Sequence, residues 1–177
     1  MSSPTLSRRS FAALALVPFV PIASASNFRE ITWLDLVPKD WKPQEALDRK
    51  RAESLDDGSA LAQQMMKELR RILDTAPTVA ALDGADIRMP GYVVPLEHGP
   101  DGLREFLLVP YFGACIHEPP PPANQIVHVV SAQPVPGFQT MSAVWVHGKL
   151  KTSRRDNGGV GVSGYAMDLA RMEPYKR

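Results

Sequence analysis

The stretch Val79-Ala80-Ala81-Leu82-Asp83-Gly84-Ala85-Asp86-Ile87-Arg88-Met89-Pro90-Gly91-Tyr92-Val93-Val94-Pro95-Leu96 is where the chain changes from helical to alternating periodicity. Asp83-Gly84 stands between two apolar runs, and that dipeptide is a two-residue hairpin signal because it tolerates positive φ. Strands are therefore predicted over 79–82 and 85–89. Tyr92, Val94 and Leu96 alternate with their neighbours and carry the second strand past Pro90-Gly91, a pair that marks a bulge or bend.

Working outward, His98-Gly99-Pro100-Asp101-Gly102 reads as a turn and 103–109 as a short apolar strand. An irregular block follows over 110–124. Further strands are predicted over 126–130, 143–150 and 163–172, with a loop at 134–137 and a polar, glycine-rich one over 153–161. Upstream, Leu61, Met65, Leu69, Ile72 and Leu73 form one apolar stripe at helical spacing after a Ser59 N-cap, and Thr75-Ala76-Pro77 ends that helix. A short charged helix is expected over 43–54, opened by Pro43. Before it, Trp33 and Trp41 mark an arm laid across the domain. Five or six short strands after a helical segment predict an α+β fold: an N-terminal helical part packed on a small antiparallel OB-like barrel, with a β-sandwich as the alternative. No repeat or heptad pattern is present.

The first 25 residues read as an address, not as fold. Ser7-Arg8-Arg9-Ser10-Phe11 precedes an apolar run to Ile22, and Ala23-Ser24-Ala25 follows, the layout of a cleavable export signal. The S-R-R-x-F pattern is twin-arginine-like. The run is too short, and too interrupted by Pro18 and Pro21, to span a membrane. Residues 26–177 are thus expected as a single periplasmic domain, with the arm and helices over 26–76 and the barrel over 77–177. Of the chain's 20 basic and 19 acidic residues, removal of the signal leaves 18 against 19. That balance gives no electrostatic case for nucleic acid. One cysteine excludes an intrachain disulfide and any all-cysteine metal site.

Four of the 17 prolines are consecutive, and they stand close after the only cysteine in Pro110-Tyr111-Phe112-Gly113-Ala114-Cys115-Ile116-His117-Glu118-Pro119-Pro120-Pro121-Pro122-Ala123-Asn124-Gln125. This run resembles the hallmark of the DUF3299 family, P-Y-x-G-A-C-I-H-x-P-P-P-P-x-N-Q. Pro90-Gly91-Tyr92-Val93-Val94-Pro95-Leu96-Glu97, Leu107-Leu108-Val109-Pro110-Tyr111, Val144-Trp145-Val146 with Gly148, and Gly164-Tyr165 match as well. The resemblance spans roughly residues 30–175. It implies an exported protein without an established activity, often encoded beside an ABC-type export or metal-handling system.

The block permits three chemistries. In an extended segment Cys115 and His117 share a face, and a thiolate with an imidazole suits zinc or copper. A third donor would come from Glu118, His98, His128 or His147. In that form the protein is a metal-handling partner of a membrane transporter. The alternative is a thiol-dependent enzyme with Cys115 as nucleophile, His117 as base and Asn124 or Gln125 orienting. The i, i+2 spacing fits that poorly, and the chain has no C-x-x-C, G-x-S-x-G or H-E-x-x-H. The third is a structural role: a buried thiol, and Pro119, Pro120, Pro121 and Pro122 as a rigid docking loop whose carbonyls Asn124 and Gln125 bind. Tyr111, Phe112, Trp145 and Tyr165 would frame that loop. Gly158-Gly159-Val160-Gly161 has neither the lysine nor the following helix of a phosphate loop and reads as a hairpin connection.

Overall fold

The longest apolar alternation, Ile87, Met89, Val93, lies on one face of a 14-residue strand, β2 (Asp86–Gly99), and all three side chains are fully buried. The other strands are a short β1 (Arg29–Glu30), β3 (Gly102–Val109), β4 (Val127–Val135), β5 (Ala143–Asp156) and β6 (Val162–Pro174). The computed structural model describes residues 27–43, 60–114 and 120–176. The sheet runs β1-β2-β3-β4-β6-β5, and β5 returns to pair with β2, closing a five-strand barrel with β1 as an extra strand. Closure excludes the sandwich alternative. All barrel pairings are antiparallel except β4 with β6, and β1 also lies parallel to β2.

β2 serves two neighbours in succession. Residues 86–92 pair with β5, and from Tyr92 onward the strand pairs with β3. Pro90-Gly91 stands where the partner changes, the bend expected there, while the register shifts of β2 fall further along, around Glu97. Inside the barrel Phe106, Leu108, Val127, Val129, Val144, Val146, Leu150, Tyr165 and Met167 join the β2 residues in the main core. A second, smaller core lies on the outer face, where Leu107 and Val109 of β3 pack with Tyr92, Val94 and Leu96 of β2 beneath Ala114, Ile126 and Val160. Residues 110–114 and 120–126 thus lie over the outside of the barrel.

Two strand expectations are corrected. Residues 79–82 are not the first arm of a hairpin: Ala80–Leu82 is a 3-10 turn. Asp83 Oδ1 accepts from Thr152 N at 2.7 Å and Thr152 Oγ1 at 3.1 Å, and Gly84 N donates to Leu150 O at 2.8 Å. The Asp-Gly turn is therefore docked on β5 and leads into β2 from there. Residues 134–135 are not loop either, since β4 continues to Val135, which pairs with Leu103.

The helical stripe forms α1 (Ala60–Asp74), in which Leu73 is buried. Arg154 of β5 donates to the Asp74 and Ala76 carbonyls, satisfying orphan acceptors at the helix end. The helix expected over 43–54 lies outside the described residues beyond Pro43. The arm crosses the barrel with Ile31 and Leu36 buried. It is tied down where Tyr165 Oη donates to Leu36 O at 2.8 Å and accepts from Val79 N at 2.7 Å. Burial pushes the Tyr165 phenol above its ordinary range.

Candidate functional site

The arm, β2, β5 and the C-terminal residues meet at an aromatic cleft. A 3-10 turn at Trp33–Leu36 is held by a capping box, in which Thr32 N and Oγ1 both donate to Asp35 Oδ2 at 2.7 Å. Those bonds keep the Asp35 carboxyl below its ordinary range, the backbone donor contributing most. The turn sets Trp33 over β2, where its Nε1 donates to Pro90 O at 2.8 Å. Gly91 makes this close approach possible, because a Cβ there would lie 2.6 Å from Leu108 Cγ and 3.0 Å from Trp33 Cζ2.

The cleft measures about 210 Å³ and is lined by Trp33, Pro90, Gly91, Tyr92, Pro110, Ala143 and Tyr175. Its lining carries no charged side chain. Tyr175 is placed by its N–H, which donates to Ala143 O at 3.0 Å, and its ring lies 5.6 Å from that of Trp145. Arg88 sits 5.0 Å over the Trp145 ring and donates to Glu30 Oε2 at 2.6 Å, so this guanidinium is pinned at the cleft's edge.

Beside the cleft begins the 110–125 block. Phe112 meets Tyr92 edge-on at 6.0 Å and is still 69% exposed, and Tyr111 is 50% exposed. Gly113 N donates to the Met141 sulfur at 3.4 Å, and Met141 itself is held at φ 64, an unusual conformation for a residue with a side chain. Cys115, His117, Glu118 and Pro119 lie outside the described residues. Pro120 and Pro121 are buried and Pro122 half-buried. Asn124 is fully buried, but its Nδ2 donates to Pro77 O at 3.0 Å, not to a proline of the run, and its Oδ1 has no partner. The carbonyl of Pro122 is met by the Gln125 backbone N–H at 2.7 Å. The run is thus capped by main chain, and Asn124 ties it to the segment before β2. Tyr165 does not frame the loop; it belongs to the main core.

Of the remaining candidate ligands, His128 and His147 do not converge. His98 stands in β2 opposite Leu103. His128 of β4 faces outward, 4% exposed, with Nε2 2.7 Å from Glu105 Oε1. His147 of β5 is 3% exposed, with Nε2 3.0 Å from Glu173 Oε1. His128 pairs with Ala166 and His147 with Arg171 on the same strand β6, which separates them by about 17 Å of strand. One ion cannot take both. Among the described residues no group of three or more histidine, cysteine, aspartate or glutamate side chains is arranged to hold a metal.

The described residues thus form a small closed β-barrel with an arm across it, an apolar cleft and buried prolines beside it. The chain belongs to the DUF3299 family, described as proteins of unknown function, whose model matches residues 33–174. Among solved structures it is similar to the crystal structure of a DUF3299 family protein from Pseudomonas aeruginosa PAO1, with 36% identity, 85% of this chain and 97% of that chain covered, and a TM-score of 0.63. No curated protein matches. The aromatic cleft has no signature in the sequence: nothing in the spacing of Trp33 and Tyr92 says that the C-terminal Tyr175 joins them.

Proposed function

We propose that this is an exported, periplasmic binding or accessory protein with an OB-like barrel, which docks an envelope partner such as a membrane transporter at the aromatic cleft and the Tyr111–Phe112 ledge. The observation that carries this reading is the exposure of large apolar side chains around one cleft: Phe112 at 69%, Tyr111 at 50% and Tyr175 at 41%, with Leu34 next to Trp33 at 79%. Exposed rings gathered in this way are characteristic of interaction sites. The cleft's 210 Å³ is the size of one large side chain. The occupant in this reading is a partner segment that inserts a single apolar or aromatic anchor. Export rests on the Arg8-Arg9 signal pattern, and among the described residues no helix is long and apolar enough to cross a membrane. His128 and His147 cannot both serve one ion and each already faces a glutamate, whereas the exposed rings stand together beside one cleft, so docking is the better-supported form of the accessory role.

The test places a photo-crosslinking residue at Phe112, or at Lys151 on another part of the surface, in cells that export the protein. A discrete partner is expected at Phe112 and not at Lys151. With that partner purified, Tyr111→Ser/Phe112→Ser should weaken binding at least about tenfold while leaving circular dichroism unchanged. Equal affinity of the double variant, or identical cross-links from both positions, would overturn the reading.

A further inference from the structure

We propose that the cavity between the β2–β3 hairpin and the tip of the β5–β6 hairpin binds a hydroxyl-rich, non-anionic saccharide, independently of docking at the aromatic cleft. The cavity measures about 440 Å³ and is lined by Leu96, Glu97, Glu105, Arg155, Asp156 and Asn157. Five of these six side chains are polar, the reverse of the aromatic cleft, so the ligand that suits it is hydrophilic. Its volume has room for about two sugar rings.

The hydrogen-bonding capacity left over in the lining selects the ligand. Glu97 is exposed and makes no hydrogen bond or ion pair among the described residues. Asp156 spends Oδ1 on the Gly158 N–H at 2.9 Å and keeps Oδ2. Glu105 receives His128 at 2.7 Å and Arg155 at 2.9 Å on Oε1 and keeps Oε2. Asn157 donates both amide hydrogens, to Arg155 O at 3.2 Å and Gly161 O at 3.1 Å, while its enclosed Oδ1 has no partner. Against these acceptors stands one donor group, the half-exposed Arg155 guanidinium, which has more hydrogens than its two partners use. Three carboxylates against one guanidinium repel phosphates and uronates. The same guanidinium opposes an organic cation and needs an acceptor. A sugar hydroxyl both donates and accepts, so it meets each of these groups, and Leu96 offers a wall to the C–H face of a ring.

The position and rigidity of the cavity agree with this. OB barrels take oligonucleotides and oligosaccharides on the face of their second and third strands, between the first hairpin loop and the last. By analogy of fold these are β3, β4, the Gly99–Gly102 turn and the Asn157–Gly161 tip, which bound this cavity. Ile126 and Val160 close the neighbouring part of that face together with Leu96, and the polar end stays open. The tip is tied before any ligand arrives, since Asn157 N donates to Gly161 O at 3.0 Å and Gly161 N to Gly158 O at 3.2 Å, and preorganised groups lose little entropy on binding.

The experiment is a residue-resolved amide-shift titration of the whole protein with N,N′-diacetylchitobiose, cellobiose and maltose, and with digalacturonate and putrescine as charged comparators. At least one neutral sugar should give saturable shifts at Leu96, Glu97, Glu105 and Asn157 with a Kd of about 1 mM or tighter, and both comparators should bind at least about tenfold more weakly. Glu97→Ala/Asp156→Asn, which keeps an acceptor for Gly158 N–H, should weaken that sugar at least about tenfold with the remaining spectrum unchanged. A flat response to all three sugars overturns the assignment. So do shifts centred on Tyr92 and Tyr175, equal affinity of the double variant, or tighter binding of digalacturonate or putrescine at the same amides.

Discussion

His128 and His147 are buried to almost the same degree, and each turns Nε2 toward a glutamate and an arginine, yet the two clusters are built differently. Around His128 the three distances are 2.7, 2.9 and 3.1 Å. Around His147 they are 3.0 Å to Glu173, 3.4 Å from Arg171 to Glu173 and 3.4 Å from Arg171 to the ring. Glu105 and Arg155 arrive from strands on opposite sides of β4, so the first cluster staples three strands that no single hairpin joins. Glu173 and Arg171 stand two residues apart on β6, so the second ties only neighbours that the sheet already pairs. Its ring is covered instead by Phe28, edge-on at 5.5 Å. The histidine-to-glutamate separations in sequence are nearly equal, 23 and 26 residues, so the difference lies in whether glutamate and arginine come from separate strands or from one, and in the burial of the carboxylate.

The largest expected difference comes from deleting the carboxylates. Glu105→Ala leaves the His128 donor buried and unmet and should cost about 1–3 kcal/mol. Glu173, 40% exposed beside its arginine, should cost less than about 1 kcal/mol. Urea denaturation at pH 7 with unchanged m-values measures both, and equal losses would break the comparison.

Acid should separate the clusters next. The His128 hydrogen bond, assisted by Arg155, holds the Glu105 carboxyl below its ordinary range. A depressed folded-state value contributes stability that is present above the unfolded-state value, about 4.3, and is lost as pH falls through the folded one. Wild type should therefore lose stability steeply from about pH 4.5 downward, and Glu105→Gln less steeply. Asp83, depressed by its bonds from Thr152, and Asp35 keep some slope in every variant. A Glu105→Gln profile parallel to wild type over that interval would remove the distinction.

The smallest effect is expected at Phe28. Phe28→Ala removes the edge contact on His147 and should cost about 0.5–1 kcal/mol, with no change at the His128 cluster by ring chemical shifts. A larger loss would show that the arm, not Glu173, secures His147.

Much of the barrel was legible. Ile87, Met89 and Val93 alternate with outward residues, Val127 and Val129 flank His128, and each pattern is enough to seat a strand with one face in a core. Where the reading failed, a distant partner had taken over a local signal. Asp83-Gly84 carries a hairpin signature, but its carboxylate and amide are claimed by β5, 66 to 69 residues on. Asn124 looked made for the proline carbonyls beside it and instead holds Pro77.

The site was legible only in part. Tyr111, Phe112 and the proline run could be named from the sequence, because an unusual local composition is visible wherever it lies. The cleft beside them could not, because Trp33, Tyr92 and Tyr175 span nearly the whole chain and are brought together by a strap, a bend and a terminal strand. By itself the sequence determined the strand periodicity, the helical stripe, the export-like start and the family run, all of which are properties of neighbouring residues. Only the tertiary structure decided which histidine meets which glutamate, which face of β3 the proline segment covers and which rings line the cleft. Those depend on strand order and register, and a shift of one residue in pairing would turn every one of these side chains to the other face of the barrel.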